Sequence, residues 1–281
     1  MVLVPKMPAG KPAVATTAGN GNKPPQTLAV SSGLQVTAQK VVLYGPGGVG
    51  KSKLASLLNM VGVRPLFIDL EAGTKFLDVA RLEPETWEEM RHCLHDFPMW
   101  DNYDAAVIDT GTKAEEMGTA WTFANVPKIG ERDGGVTYVT SVEGYGWGKG
   151  YVHVAETYLQ LLGDLDALAR RGKHIVLICH DCTANVPNPE GIDWIRWEPR
   201  LQSPPSGKAS IRHRVKEWAD HLLFVGYDTF VAKDGKASGS GSRTIYTSER
   251  PTLWAKSRLL SDPIAYIDND PTLWKLLLGK E

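Results

Sequence analysis

Cysteine is scarce in this 281-residue chain: Cys93, Cys179 and Cys182 are the only 3. So few thiols, odd in number, cannot staple a small secreted fold and argue for a reducing compartment. Cys179 and Cys182 satisfy C-x-x-C, with His92, Cys93 and His95 elsewhere, but no second well-spaced pair completes a zinc set. Long apolar runs are missing too. Nothing approaches the ~18 consecutive apolar residues of a membrane span, and the N-terminus has no apolar core of the kind a signal peptide carries. Together these absences predict a soluble, cytoplasmic protein that does not use a membrane. An excess of one charge is also lacking. The net charge of −1 gives no global attraction to nucleic acid, so any basic surface must be local. Acid is absent from residues 1–33, which hold Lys6, Lys11 and Lys23 among Pro, Gly, Ala, Thr and Ser. Such a stretch buries too little apolar surface to offset its ordering entropy and is predicted to be a flexible basic tail. It is either an inert leader or an arm for a neighbouring subunit or a phosphate backbone. No internal repeat and no second boundary divides residues 34–281, which read as one core.

What is present is organised around Val41–Ser52. Gly45, Pro46, Gly47, Gly48, Val49, Gly50, Lys51 and Ser52 fit G-x-x-x-x-G-K-[ST] without a mismatch. Val41, Val42 and Leu43 before it suit a buried parallel strand. Leu54, Leu57, Leu58 and Val61 after it recur at helical intervals. A strand, a glycine turn and a helix therefore meet here. The glycines let the backbone curl and aim N–H groups at an anion, and the following helix adds its positive end. Lys51 reaches for the outer phosphates of a nucleoside triphosphate, Ser52 is a Mg²⁺ ligand, and Lys53 completes the nucleotide-binding segment.

Further strands are predicted at residues 66–71, 103–110, 174–180 and 220–227, giving an α/β fold with a mostly parallel twisted sheet flanked by helices. Asp109 ends its strand and is the expected carboxylate on the Mg²⁺ side. The glutamate that many such enzymes place directly after it is missing, and Thr110 stands there instead. Glu71, at the carboxyl end of the neighbouring strand, is the candidate that polarises water, because ligands of open α/β sheets lie at those ends. Asp69 is the competitor, either behind Glu71 or exchanging roles with Asp109. His180, also at a strand end, faces the expected position of the terminal phosphate, where it could sense that group and pass the signal onward.

Two long connections stand out. Residues 126–150 are rich in glycine, and Tyr138, Tyr145, Trp147 and, just beyond, Tyr151 stand alongside the cations Lys128, Arg132 and Lys149, a composition that could stack bases and pair phosphates. Residues 181–213 lead into a run holding Arg200, Lys208, Arg212, Arg214 and Lys216 with no acid. Val154 to Leu168 reads as an amphipathic helix. Lys233 to Ser242 reads as a flexible tip, Arg243–Thr247 and Thr252–Lys256 as paired antiparallel strands, and Asp270-Pro271 as the opening of a last helix.

In this order the features resemble the RecA-type ATPase core, and more closely the phage nucleotide-binding proteins regarded as minimal RecA-like recombinases or single-strand annealing proteins. The pieces that carry the resemblance are Gly45–Ser52, Phe67-Ile68-Asp69-Leu70-Glu71, Val107-Ile108-Asp109-Thr110, Ile178-Cys179-His180 and Ala255-Lys256-Ser257-Arg258. It implies a RecA-like P-loop core with a C-terminal antiparallel extension, ATP and Mg²⁺ as ligands, and an ATPase stimulated by DNA. It also implies that Lys256 and Arg258 reach a neighbour's terminal phosphate, so that the site is completed only in a homo-oligomer, a filament or a ring. The two loops fall where that family binds DNA. The implied function is ATP-dependent binding of single-stranded DNA in homologous recombination, in the host cytoplasm if phage-encoded, with a single-strand-binding protein as a further partner. The rival readings are a nucleotide-switched scaffold or loader for a replication partner, and a hexameric helicase motor.

Overall fold

Two interleaved sets of apolar side chains build the molecule. Along each central strand one set faces one layer of helices and the alternate set faces the other. In the computed structural model the described residues are 37–130, 134–205, 207–231 and 237–280. The predicted tail over 1–33 and Arg132 lie outside them.

The chain begins with β1 (Lys40–Tyr44), the phosphate loop and α1 (Lys51–Ser56), which passes into a 3₁₀ turn over Leu57–Val61. Next come β2 (Pro65–Asp69), β3 (Ala80–Leu82), α2 (Trp87–His95), α3 (Phe97–Trp100), β4 (Ala105–Asp109) and α4 (Gly111–Asn125). A short hairpin, β5 (Lys128–Ile129) and β6 (Val136–Thr137), leads to α5 (Lys149–Arg170) and β7 (His174–Cys179). The hairpin β8 (Asp181–Val186) and β9 (Trp194–Pro199) precedes α6 (Ile211–Trp218). The chain closes with β10 (His221–Val231), β11 (Ala237–Tyr246), β12 (Ile264–Ala265) and α7 (Thr272–Leu278).

The main sheet runs β3-β2-β4-β7-β1-β10-β11-β12. Its strands are parallel from β3 to β10, and β11 and β12 turn antiparallel. This is an α/β fold, a mostly parallel sheet flanked by helices, with antiparallel C-terminal strands. On one face Val42, Tyr44, Ile68, Ile108, Leu177 and Leu222 pack under α2, α5 and α6. On the other, Val41, Leu43, Phe67, Val107, Val176 and Leu223 pack under α1 and α7. At roughly 25 cal/mol per Å² of apolar surface removed from water, these two layers are the main source of stability. Polar contacts then fix helix positions. Thr86 and Glu89 form a reciprocal capping box at the start of α2. Asp164 of α5 accepts from Arg91 of α2 at 2.6 Å, and the Trp274 indole of α7 donates to the Leu54 carbonyl at 2.7 Å. Among the described residues no helix is long and apolar enough to cross a membrane.

The local expectations need four corrections. The connection over 181–213 is largely ordered, with an antiparallel hairpin paired from Asp181↔Pro199 to Val186↔Trp194. Among the described residues, the supposed strand over 252–256 pairs only through isolated bridges, Trp197↔Leu253, Arg250↔Leu253 and Leu222↔Lys256. Instead β11 pairs with β10, and it runs from Ala237 through most of what reads as a flexible tip. Finally, the helix after the phosphate loop is only 6 residues long before it tightens into the 3₁₀ turn. Leucines three and four apart suit either winding.

Candidate nucleotide site

The parallel strands end in one plane, and their carboxyl ends bring the candidate residues together. Asp69 lies in register with Asp109, Asp109 with Ile178, and Tyr44 with Cys179. The loop after β1, Glu71, Asp109 and His180 therefore converge on a cleft of about 290 Å³ lined by Gly47, Lys51, Ser52, Glu71, Asp109 and His180 among others.

The loop curls where only glycine fits. Gly45 has φ +153°, and a Cβ there would lie 2.0 Å from the Val225 carbonyl oxygen. Lys51 folds back and donates to the carbonyls of Gly45 at 2.7 Å and Pro46 at 2.9 Å. Burial pulls its ammonium below the ordinary value, against the carboxylates of Asp181, Asp109 and Glu71, which hold it up. The Ser52 hydroxyl donates to Asp109 at 2.5 Å. Burial pushes the Asp109 carboxyl up to about 6, and the neighbouring charges of Asp69 and Glu71 add to that effect, while Ser52 and Lys51 oppose it. A buried carboxylate with two acidic neighbours and a hydroxyl on its free oxygen is a donor set that suits a hard dication. Ser52 and Asp109 thus fit Mg²⁺.

Asp69 does not compete for that role. It is 2% exposed. Its oxygens accept from the N–H groups of Glu71, Gly73 and Thr74 and from the Thr74 hydroxyl. Burial pushes its carboxyl up, but these bonds outweigh burial and hold it below the usual range. Asp69 shapes the turn that presents Glu71. Glu71 itself accepts from the Thr110 hydroxyl at 2.8 Å and lies 3.2 Å from His180 Nε2. Thr110 has a second task, because its side chain also caps α4 by accepting from the Lys113 N–H at 3.0 Å.

The remaining candidates are scattered. Lys256 and Arg258 do not line their own chain's cleft. Lys256 bridges to Leu222, which is in register with Val42, and Arg258 pairs with Asp220 at 3.0 Å, toward the amino ends of the parallel strands. In the first connection Trp147 is 95% exposed, whereas Tyr145 is 3% exposed and not free to stack on a base. The Tyr145 hydroxyl donates to the carbonyls of Thr122 and Val126, closing the end of α4. Lys128 donates to the Gly144 carbonyl at 3.0 Å, and Lys149 opens α5. In the second, Lys208 and Arg214 are exposed. Arg212 is committed to Glu198 at 2.6 Å and to the Leu201 carbonyl, which removes it from the set available to phosphate. Arg200 is exposed, but its backbone is tied to the site: its N–H donates to the His180 carbonyl at 2.8 Å, and its carbonyl accepts from Thr112 at 3.3 Å.

The fold and this cleft define a P-loop nucleotide-binding protein. The sequence matches the family described as AAA domain over residues 37–259, so the chain belongs to that family of P-loop ATPases. No curated protein sequence matches it. Among solved structures it is similar to a KaiC-like protein from the hyperthermophilic archaeon Pyrococcus horikoshii OT3, at 12% identity and a TM-score of 0.43, over 82% of this chain and 85% of that one.

Proposed function

We propose that this ATPase binds single-stranded DNA under the control of ATP, in single-strand annealing or recombination, and hydrolyses ATP within an oligomer. The observation that carries the reading is a hydrogen-bonded path from the cleft to the basic segment. Glu71 meets His180, the His180 N–H donates to Thr112 at 3.1 Å, and the His180 carbonyl and the Thr112 hydroxyl each hold the backbone of Arg200. A change at the terminal phosphate that shifts His180 would move Arg200 and the stretch that bears Lys208 and Arg214.

In this scheme Lys51 and the loop amides hold the phosphates, and Glu71 orients the attacking water and takes its proton. Thr110 and His180 keep Glu71 pointed at that water. Ser52 and Asp109 would hold Mg²⁺, which would supply positive charge against the phosphate oxygens. Lys256 and Arg258 serve the neighbouring protomer, as a cation in trans stabilises transferred phosphoryl charge and couples hydrolysis to assembly. The exposed Trp147 and the Lys128 hairpin add a stacking surface for bases.

Anisotropy of a labelled oligo-dT across a salt series tests the reading. The expected result is tight binding with a non-hydrolysable ATP analogue, weaker binding without it, and a steep loss of affinity as salt rises. Equal or absent binding in the two nucleotide states would overturn it. One feature favours a nucleotide-switched loader instead: the apolar tip of the β8–β9 hairpin, where Ile192 is 91% and Ile195 63% exposed. That reading predicts a stable protein partner and turnover indifferent to DNA.

A further inference from the structure

The phosphate loop is gripped from outside by side chains of the antiparallel extension. Tyr227 of β10 donates its hydroxyl to the Gly48 carbonyl at 3.3 Å. Arg243 of β11 donates Nη1 to the Val49 carbonyl at 2.9 Å. Tyr266, the residue after β12, donates its hydroxyl to the Gly50 carbonyl at 2.9 Å. These three successive carbonyls lead directly into Lys51. The donors also form one cross-strand row. Tyr227 and Arg243 are register partners, and the Tyr266 N–H donates to the Arg243 carbonyl at 2.8 Å. The Arg243 guanidinium lies 4.1 Å over the Tyr266 ring, and its Nη2 donates to Asp268 at 2.8 Å.

A trans peptide is planar, with its C=O and N–H pointing in opposite directions. A donor fixed on the outer carbonyl therefore fixes the direction of the N–H on the inner side, where a phosphate is cradled. Gly50 carries independent evidence of the grip. It has φ +103°, and a Cβ there would meet the Tyr266 hydroxyl at 2.5 Å and Arg243 Nη1 at 2.9 Å. The positive φ is what requires glycine here, and any side chain at this position would also push the two donors aside.

We propose that Tyr266 and Arg243, with Tyr227 at the rim, are positioning residues for nucleotide binding. They pre-orient the peptide units 49–50 and 50–51, so the antiparallel extension sets affinity for the phosphates without touching them. This rests on the nucleotide-binding reading of the loop. The pre-oriented amides serve ADP and ATP alike, so both affinities respond together and the chemical step does not.

The test uses the full chain with Tyr266→Phe, which keeps the ring under Arg243, and Arg243→Met, which keeps the stem and loses the fork. Leu168→Ala, on the buried face of α5, is the control for lost stability alone. Fluorescent ADP and ATP analogues with Mg²⁺ report Kd, steady-state turnover reports KM and kcat, and thermal melting without nucleotide reports stability. Tyr266→Phe is expected to weaken both nucleotides about 5-fold, the equivalent of one neutral hydrogen bond, and Arg243→Met about 10-fold or more. KM rises, kcat is unchanged, and Arg243→Lys, which retains one donor, falls between wild type and Arg243→Met. Affinities within twofold of wild type would overturn the proposal. So would losses no larger than those of Leu168→Ala at the same drop in melting temperature. Wild type that binds neither analogue would overturn the nucleotide reading as well, whereas wild-type binding with unaffected variants would overturn the clamp alone.

Discussion

The two halves of the main sheet serve the site in different ways. From β3 to β1 the parallel strands deliver Glu71, Asp109, His180 and the phosphate loop within two residues of a strand end, so backbone register alone sets their spacing. The half from β10 to β12 lends Tyr227, Arg243 and Tyr266, which reach the loop from behind through long side chains. Groups that line the cleft are placed by main-chain pairing, whereas groups that brace the loop are placed by side-chain length. The first arrangement tolerates changes in loop length, and the second does not tolerate a changed side chain.

The sharpest way to break this division is at Lys256 and Arg258, which lie on the antiparallel side yet are proposed to serve the neighbour's chemistry. The double change to alanine should cut turnover about 10³-fold, as losing a cation in trans does in comparable sites. Mixing it with Glu71→Gln protein should restore part of the rate, because some interfaces then pair an intact cleft with intact cations. No recovery on mixing would place those cations outside a shared site. Glu71→Gln alone should lower kcat about 10²-fold while leaving ATP affinity unchanged, which equilibrium binding beside single-turnover kinetics would check. A fall in affinity of the same size would instead assign Glu71 to binding.

The smallest effect concerns Glu115, half-buried on α4, which accepts two hydrogen bonds from the Gln202 N–H. Burial pushes its carboxyl up to about 7, against that N–H and the charge of Arg212. The folded protein thus keeps a proton that an unfolded glutamate releases near pH 4.5. Stability contributed here is full below that value and falls as pH rises toward 7. Denaturant titrations should show wild type losing about 1–2 kcal/mol relative to Glu115→Gln across this window and running parallel above it. A constant gap would mean that Glu115 titrates normally.

Much of the parallel half was legible in the sequence. Apolar β-branched runs marked its strands, and the rule that ligands sit at carboxyl ends singled out Glu71, Asp109 and His180. Thr110 was legible only as a missing glutamate. Its double service to Glu71 and to the cap of α4 needs the geometry of both. The β8–β9 hairpin was hidden because Asp181–Val186 mixes polar and small residues and has no apolar run. Leu253, Trp254 and Ala255 misled in the opposite sense, for they are apolar and buried, but their segment pairs only through isolated bridges at Leu253 and Lys256. Tyr145 looked like a stacking residue because it stands among glycines, and only the structure shows its hydroxyl bonded to backbone carbonyls. The clamp left no local trace at all, since Arg243 and Val49 are 194 positions apart and a side chain meeting a carbonyl has no pattern to read.

The claim on which the rest depends is that a nucleoside triphosphate is held in the loop between Gly45 and Ser52, with Lys51 on its phosphates. Calorimetric titration of Mg-ATP into wild type and Lys51→Ala, with melting curves to show that both are folded, tests it most directly. Saturable binding by wild type and a loss of about 100-fold in the variant is the predicted result. Equal affinity in the two proteins would contradict it.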